Sequence, residues 1–275
     1  MTDIVDEAVR ALGVANPTIL NTGGQKTVVE GELDGERVAV KIVELALGPE
    51  GPETTLLRAE REFDALDGAR NANLVGVRSN LLTIEDGAGE VQAVVWAEEF
   101  IDGEDLRSLL TAPWGWDEAA VMMTDVATGL LALHDRGIVH RDLSPANVMR
   151  RATSGYVVLD PGFARFIDYT TITRAGQPGT PGHLSPEHYD AVEGPETRSD
   201  IFQLGVLAYL VLTSELPFPA NDAAPLLAGD SESLADKRSD LSPDCEAVVK
   251  RCLERLPARR YRTLKDLLRA LEVSS

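Results

Sequence analysis

The chain has 275 residues and only two cysteines, Cys245 and Cys252. Seven positions apart on a helix, they share a face, and they suit buried apolar thiols better than a metal pair or a disulfide framework. That usage points to a reducing compartment. Long apolar runs are also missing: the nearest approach, residues 201–212, is too short for a membrane helix. The first residues lack a basic stretch followed by an apolar one, so no secretory leader is read. The expectation is a soluble cytoplasmic protein with no membrane partner. Basic residues are in deficit, 26 Lys and Arg against 45 Asp and Glu, a net charge of -19. Such a balance argues against nucleic acid as a partner. No internal repeat or low-complexity linker occurs. The length admits one large or two small domains, and a 44% apolar fraction is enough for a sizeable core.

What is present centres on His140-Arg141-Asp142-Leu143-Ser144-Pro145-Ala146-Asn147, with Asp160-Pro161-Gly162 following thirteen residues after the asparagine. Two short stretches, 148–150 and 156–159, read as strands that close a hairpin and bring Asn147 near Asp160. Two carboxylates and an amide held this way suit divalent metal on a polyphosphate. Magnesium takes hard oxygen ligands and keeps several waters, so Asn147 and Asp160 plus phosphate oxygens would suffice. Asp142 would orient an attacking hydroxyl and accept its proton.

The stretch resembles the catalytic loop of eukaryotic-like protein kinases, H-R-D-L-K-P-x-N, followed by the metal-binding D-F-G. Further motifs occur in the family's order over residues 18–271. Val38-Ala39-Val40-Lys41 is similar to the V-A-I-K strand, whose lysine binds the α- and β-phosphates. Residues 54–67 have helical spacing and offer two candidates for the glutamate partner of Lys41. Glu62 is preferred to Glu60 because Leu66, one turn on, then falls at the apolar position beneath it. Residues 18–31 resemble two strands around a phosphate-covering loop. Asn21, Gly23 and Lys26 stand at its three glycine positions, Gly24 lies beside the second, and Val28 matches its valine. Glu99 and Ile101 fall where backbone groups hold adenine, and Glu98 takes a position that is usually apolar. Residues 160–187 resemble an activation segment, with Thr180 at the threonine that contacts the catalytic aspartate. Tyr169, Thr170, Thr171 and Thr173 lie within it; phosphate on Thr170, Thr171 or Thr173, by autophosphorylation, could pair with Arg141 and Arg165. Asp200 would hold the catalytic-loop backbone, and Arg260 would pair with Glu187.

The resemblance implies an α+β, bilobal kinase fold with ATP and Mg2+ bound between the lobes. Residues 1–17 would form an N-terminal helical extension packed on the small lobe. Residues 18–101 would be that lobe, an antiparallel β-sheet with one helix, and 102–275 a mainly helical large lobe. The implied activity is phosphorylation of serine or threonine on a protein substrate. Two departures bear on it. The catalytic-loop lysine is Ser144, which removes a positive charge from where negative charge is handled. The phenylalanine of D-F-G is Pro161, expected to bias Asp160 towards an extended backbone. A weakly active or inactive ATP-binding regulator is the alternative. A small-molecule kinase of similar fold is disfavoured by Glu187 and Arg260, which belong to the protein-substrate platform.

Overall fold

The computed structural model describes residues 3–23, 26–48, 51–161, 165–166, 180–189, 196–220, 222–229 and 231–274. The chain divides into two compact units, Met1–Arg70 with Val75–Ile101, and Asn71–Leu74 with Asp102–Ser275.

In the first unit, α1 (Asp3–Leu12) is followed by β1 (Ala15–Gly23), β2 (Lys26–Leu33), β3 (Glu36–Glu44), α2 (Pro52–Leu66), β4 (Leu82–Glu85) and β5 (Val91–Glu99). The strands form one antiparallel sheet in the order β1-β2-β3-β5-β4. Asp34 and Gly35, both at positive φ, make the two-residue turn between β2 and β3, the combination that matches the twist of a tight hairpin. Both faces of the central strands are covered, so β3 and β5 read as nearly continuous apolar runs rather than as an alternation. Val5, Ala8 and Val9 of α1 pack with Val29, Val38, Val40 and Ile42. The opposite face carries Val43, Val94 and Trp96 against Ala59 of α2, with Phe63 edge-on to Trp96. The N-terminal helix therefore covers the sheet face that Lys41 does not occupy.

In the second unit come β6 (Gly103–Asp105), α3 (Leu106–Leu109), α4 (Trp116–His134), β7 (Ile138–Val139), β8 (Val148–Arg151), β9 (Tyr156–Val158), β10 (Arg165–Phe166), α5 (Thr197–Thr213), α6 (Ala224–Ala228), α7 (Leu234–Lys237), α8 (Pro243–Cys252) and α9 (Leu264–Ser274). Its core is helical. α5 is buried at nearly every position between Ser199 and Leu212, as its nearly all-apolar sequence requires. A capping box between Glu196 and Ser199 starts it, and Ser214 in the left-handed region ends it. Cys245 and Cys252 are buried and unbridged on α8, and burial pushes the Cys252 thiol up to about 12. The segment Asn71–Leu74 goes with this unit because its backbone joins the small sheet: Asn73 accepts the Val158 N–H at 2.9 Å, and its side-chain amide donates to the Tyr156 carbonyl at 2.9 Å. Among the described residues no helix is long and apolar enough to cross a membrane.

Candidate active site

The first unit presents a row of charged groups on the α2-facing side of its sheet. Strand register sets Lys26 opposite Val43, Val28 opposite Lys41, and Lys41 opposite Trp96. Glu62, buried on α2, receives the Lys26 ammonium at both oxygens, 2.8 and 3.0 Å. This contact ties the glycine-loop lysine to the helix, a pairing that the sequence reading did not foresee. Lys41 is buried, and its Nζ lies 3.6 Å from Glu98 Oε2. Glu98 is buried as well and accepts the Trp96 indole N–H at 2.8 Å. Asn21 and Gly23 end β1, Val28 lies within β2, Glu99 closes β5 and Ile101 is buried just beyond it. Gly24 lies outside the described residues.

In the second unit the catalytic loop is fixed from below by α5. Asp200 is fully buried and takes three donors: His134 Nε2 at 2.7 Å, the His140 N–H at 2.9 Å and the Arg141 N–H at 2.9 Å. Burial pushes its carboxyl upwards, but the His134 hydrogen bond and charge, together with the Arg141 N–H, outweigh that and hold it below the ordinary carboxylate value. The Arg141 carbonyl receives Gln203 Nε2 and His188 Nε2, each at 3.0 Å. These contacts hold Arg141 at φ 71, a strained value for a residue with a side chain. Burial lowers the His188 pKa, against the pull of the Arg141 carbonyl and the charges of Glu187 and Asp200. A neutral ring fits its contacts: Nε2 donates to Arg141, and Nδ1 accepts from the Ser185 N–H at 3.2 Å. His140 donates from Nε2 to the Leu159 carbonyl at 3.0 Å and accepts the Asp142 N–H at Nδ1, 3.3 Å.

Asp142 is thus held at its backbone and then again at its carboxylate. Oδ1 accepts both the N–H and the hydroxyl of Thr180 at 3.0 Å; Oδ2 accepts Asn147 Nδ2 at 3.3 Å, which also donates to the Asp142 carbonyl at 2.8 Å. The Leu159 N–H donates to the Asn147 carbonyl at 2.9 Å, so the hairpin brings the residue before Asp160 against Asn147. With its amide nitrogen committed to Asp142, Asn147 offers its amide oxygen to a metal. That oxygen and the Asp160 carboxylate are hard donors that fit Mg2+. Among the described residues no three or more His, Cys, Asp or Glu form a metal cage by themselves. Magnesium needs none where phosphate oxygens and water complete its shell.

One expectation is overturned. Asp160 lies at φ 54, in the left-handed region, not extended as Pro161 led us to expect. Aspartate is among the residues that tolerate this region, and the Leu159 hydrogen bonds to Asn147 and His140 set its approach. Ser144, at the lysine position, is buried with Oγ unpartnered among the described residues, as is Nε2 of His183. Burial lowers the His183 pKa, against the opposing pull of the Pro181 carbonyl and the Asp142 charge. Glu187 and Arg260 form a buried two-pronged pair at 2.6 and 3.1 Å. Tyr169, Thr170, Thr171 and Thr173 and the Arg165 side chain lie outside the described residues.

A family model described as protein kinase domain matches residues 18–270. The serine/threonine-protein kinase PknB of Mycobacterium leprae is 32% identical over 240 residues, 84% of this chain and 37% of the relative. PkaA of Streptomyces coelicolor, also a serine/threonine-protein kinase, is 33% identical over 260 residues, 92% of this chain and 45% of the relative. Pkn1 of Myxococcus xanthus, named likewise, is 33% identical over 267 residues, 93% of this chain and 37% of the relative. The chain thus spans less than half the length of these relatives. Its matched region, bilobal α+β architecture and loop geometry agree: the chain belongs to the protein kinase family, in its eukaryotic-like serine/threonine branch.

Proposed function

We propose that this chain transfers the γ-phosphate of ATP, with Mg2+, to a serine or threonine hydroxyl of a protein substrate. The observation that carries the reading is the Asp142 carboxylate, fixed at both oxygens by Thr180 and Asn147. A carboxylate held in this way is placed to orient a hydroxyl and take its proton. Asn147 and Asp160 would hold Mg2+, which would neutralise charge developing on the phosphates. Lys41 would bind the α- and β-phosphates, and Glu99 and Ile101 would hold adenine through their backbone. Asn21, Gly23, Gly24 and Val28 would belong to the phosphate-covering loop, and Lys26 would be shared with Glu62. The Thr180 contact and the buried Glu187–Arg260 pair support a protein substrate and a hydroxyl of the serine/threonine class. The use of ATP as donor supports a cytoplasmic site of action. Autophosphorylation at Thr170, Thr171 or Thr173 is part of this reading.

A regulator that binds ATP without transferring phosphate is favoured by one observation: Ser144 is buried and uncharged where the family carries its catalytic-loop lysine. Incubation with γ-labelled Mg-ATP and a generic basic protein, followed by phosphoamino-acid analysis, separates the two. Label on serine or threonine supports transfer. A thermal shift with ATP that Lys41→Met weakens, without label, supports the regulator.

A further inference from the structure

The sequence places a glutamate, Glu98, where the family usually has an apolar residue, and the structure gives this carboxylate a partner. β5 sets Val94, Trp96 and Glu98 on one face, and β3 sets Lys41 and Val43 on the same face. Lys41 pairs with Trp96 and Ala39 with Glu98 across the two strands, so Lys41 and Glu98 are diagonal neighbours, within reach of long side chains. Glu98 is only 2% exposed and Lys41 8%. A carboxylate so buried is costly unless each oxygen is met. Oε1 accepts the Trp96 indole at 2.8 Å, and Oε2 lies 3.6 Å from Lys41 Nζ. Trp96 is itself fully buried and stands edge-on to Phe63 with ring centroids 6.3 Å apart, so the carboxylate is anchored on a side chain with no room to turn. Glu62, the expected partner of Lys41, meanwhile grips Lys26 with both oxygens.

We propose that Glu98 is a positioning residue for Lys41: a strand-borne carboxylate that holds the phosphate-binding ammonium from within the sheet. Lys41 then has an anchor on the strand hydrogen-bonded to its own, and that anchor does not depend on where α2 lies. Other contacts of Lys41 do not affect the proposal, which needs only the fixed carboxylate beside it. It rests on the reading of Lys41 as a nucleotide ligand.

The test is a double-mutant cycle on the Kd for Mg-ATP, with Glu98→Gln and Lys41→Met alone and together. Contacting residues in such cycles couple by about 0.5–3 kcal/mol, so Glu98→Gln is expected to weaken binding by roughly two- to 150-fold in the Lys41 protein. With Lys41→Met present, the same substitution should change nothing further, and Glu98→Asp should restore part of the loss. Glu98→Met, which keeps the bulk without the charge, carries the same expectation if the glutamine variant melts early. Unchanged binding in Glu98→Gln overturns the proposal, as does an equal loss in the Lys41→Met background. Failure of both Glu98 variants to fold makes Glu98 a residue of the core alone and also overturns it. A wild-type chain that binds no Mg-ATP overturns the nucleotide reading itself, a result distinct from the others.

Discussion

Thr180 and Asp142 are joined twice: the N–H and the hydroxyl of Thr180 both donate to Oδ1 of Asp142, each at 3.0 Å. The proposed base is thereby tied to the segment that would receive a protein substrate. Thr180→Val removes the hydroxyl bond and leaves the backbone one. A hydrogen bond to a charged group contributes about 1.5–3 kcal/mol, so kcat for peptide phosphorylation should fall roughly tenfold or more. Thr180→Ser keeps the hydroxyl and should recover most of the rate.

Arg260 is buried by more than its ion pair. Beyond Glu187 it donates to the carbonyls of Glu254, Arg198 and Arg255 at 2.7–3.0 Å, and it lies 4.7 Å from the centroid of the Phe202 ring. Arg260→Met leaves Glu187 buried and uncompensated, and urea unfolding should show a loss of about 3–5 kcal/mol. Adding Glu187→Gln should cost less than the sum of the two single changes, because the stranded charge is gone.

Asp200 gives the fold an acid limit. Its folded carboxyl titrates below the ordinary value of 3.8, so its contribution is present above that pH and is withdrawn as pH falls through the lower folded-state value. Asp200→Asn should be less stable than wild type at about pH 7, and the gap should narrow at about pH 3 when both are unfolded in urea. A gap that stays constant would assign the stability to something other than the carboxylate charge.

Gly129 on α4 allows a backbone contact that no side chain would permit. A Cβ there would overlap the Asn73 carbonyl, which accepts the Val158 N–H. Gly129→Ala should therefore cost about 1–3 kcal/mol, although alanine is the better helix former. A thermal melt checks the sign.

The motifs of the catalytic loop were legible in the sequence because each occupies few positions and needs particular chemistry: a carboxylate at 142, an amide at 147, an acidic residue at 160. The nearly all-apolar run of α5 announced its own burial, and Asp200, Thr180 and Arg260 took the partners that the kinase resemblance implied. The partners of the histidines were not legible. His134, His140 and His188 act through contacts 19 to 66 residues away, to Asp200, Leu159 and Arg141, and sequence periodicity carries no such information. The charge pairs of the first unit were missed for a related reason. Lys26 and Glu62 are joined by strand register and helix rotation together, and Glu98 meets Lys41 only through the diagonal of two strands. The φ of Asp160 went against a local rule because Asn147 and His140 hold the preceding residue.

The most direct test of phosphoryl transfer compares wild type with Asp142→Asn, measuring labelled γ-phosphate transfer and Mg-ATP affinity on the same preparations. Loss of a positioned base costs roughly 10²–10⁴ in rate, so transfer should fall by that factor while nucleotide affinity is retained. Transfer at the wild-type rate in Asp142→Asn would contradict Asp142 as the base, and the absence of label from wild type would leave the ATP-binding regulator as the standing reading.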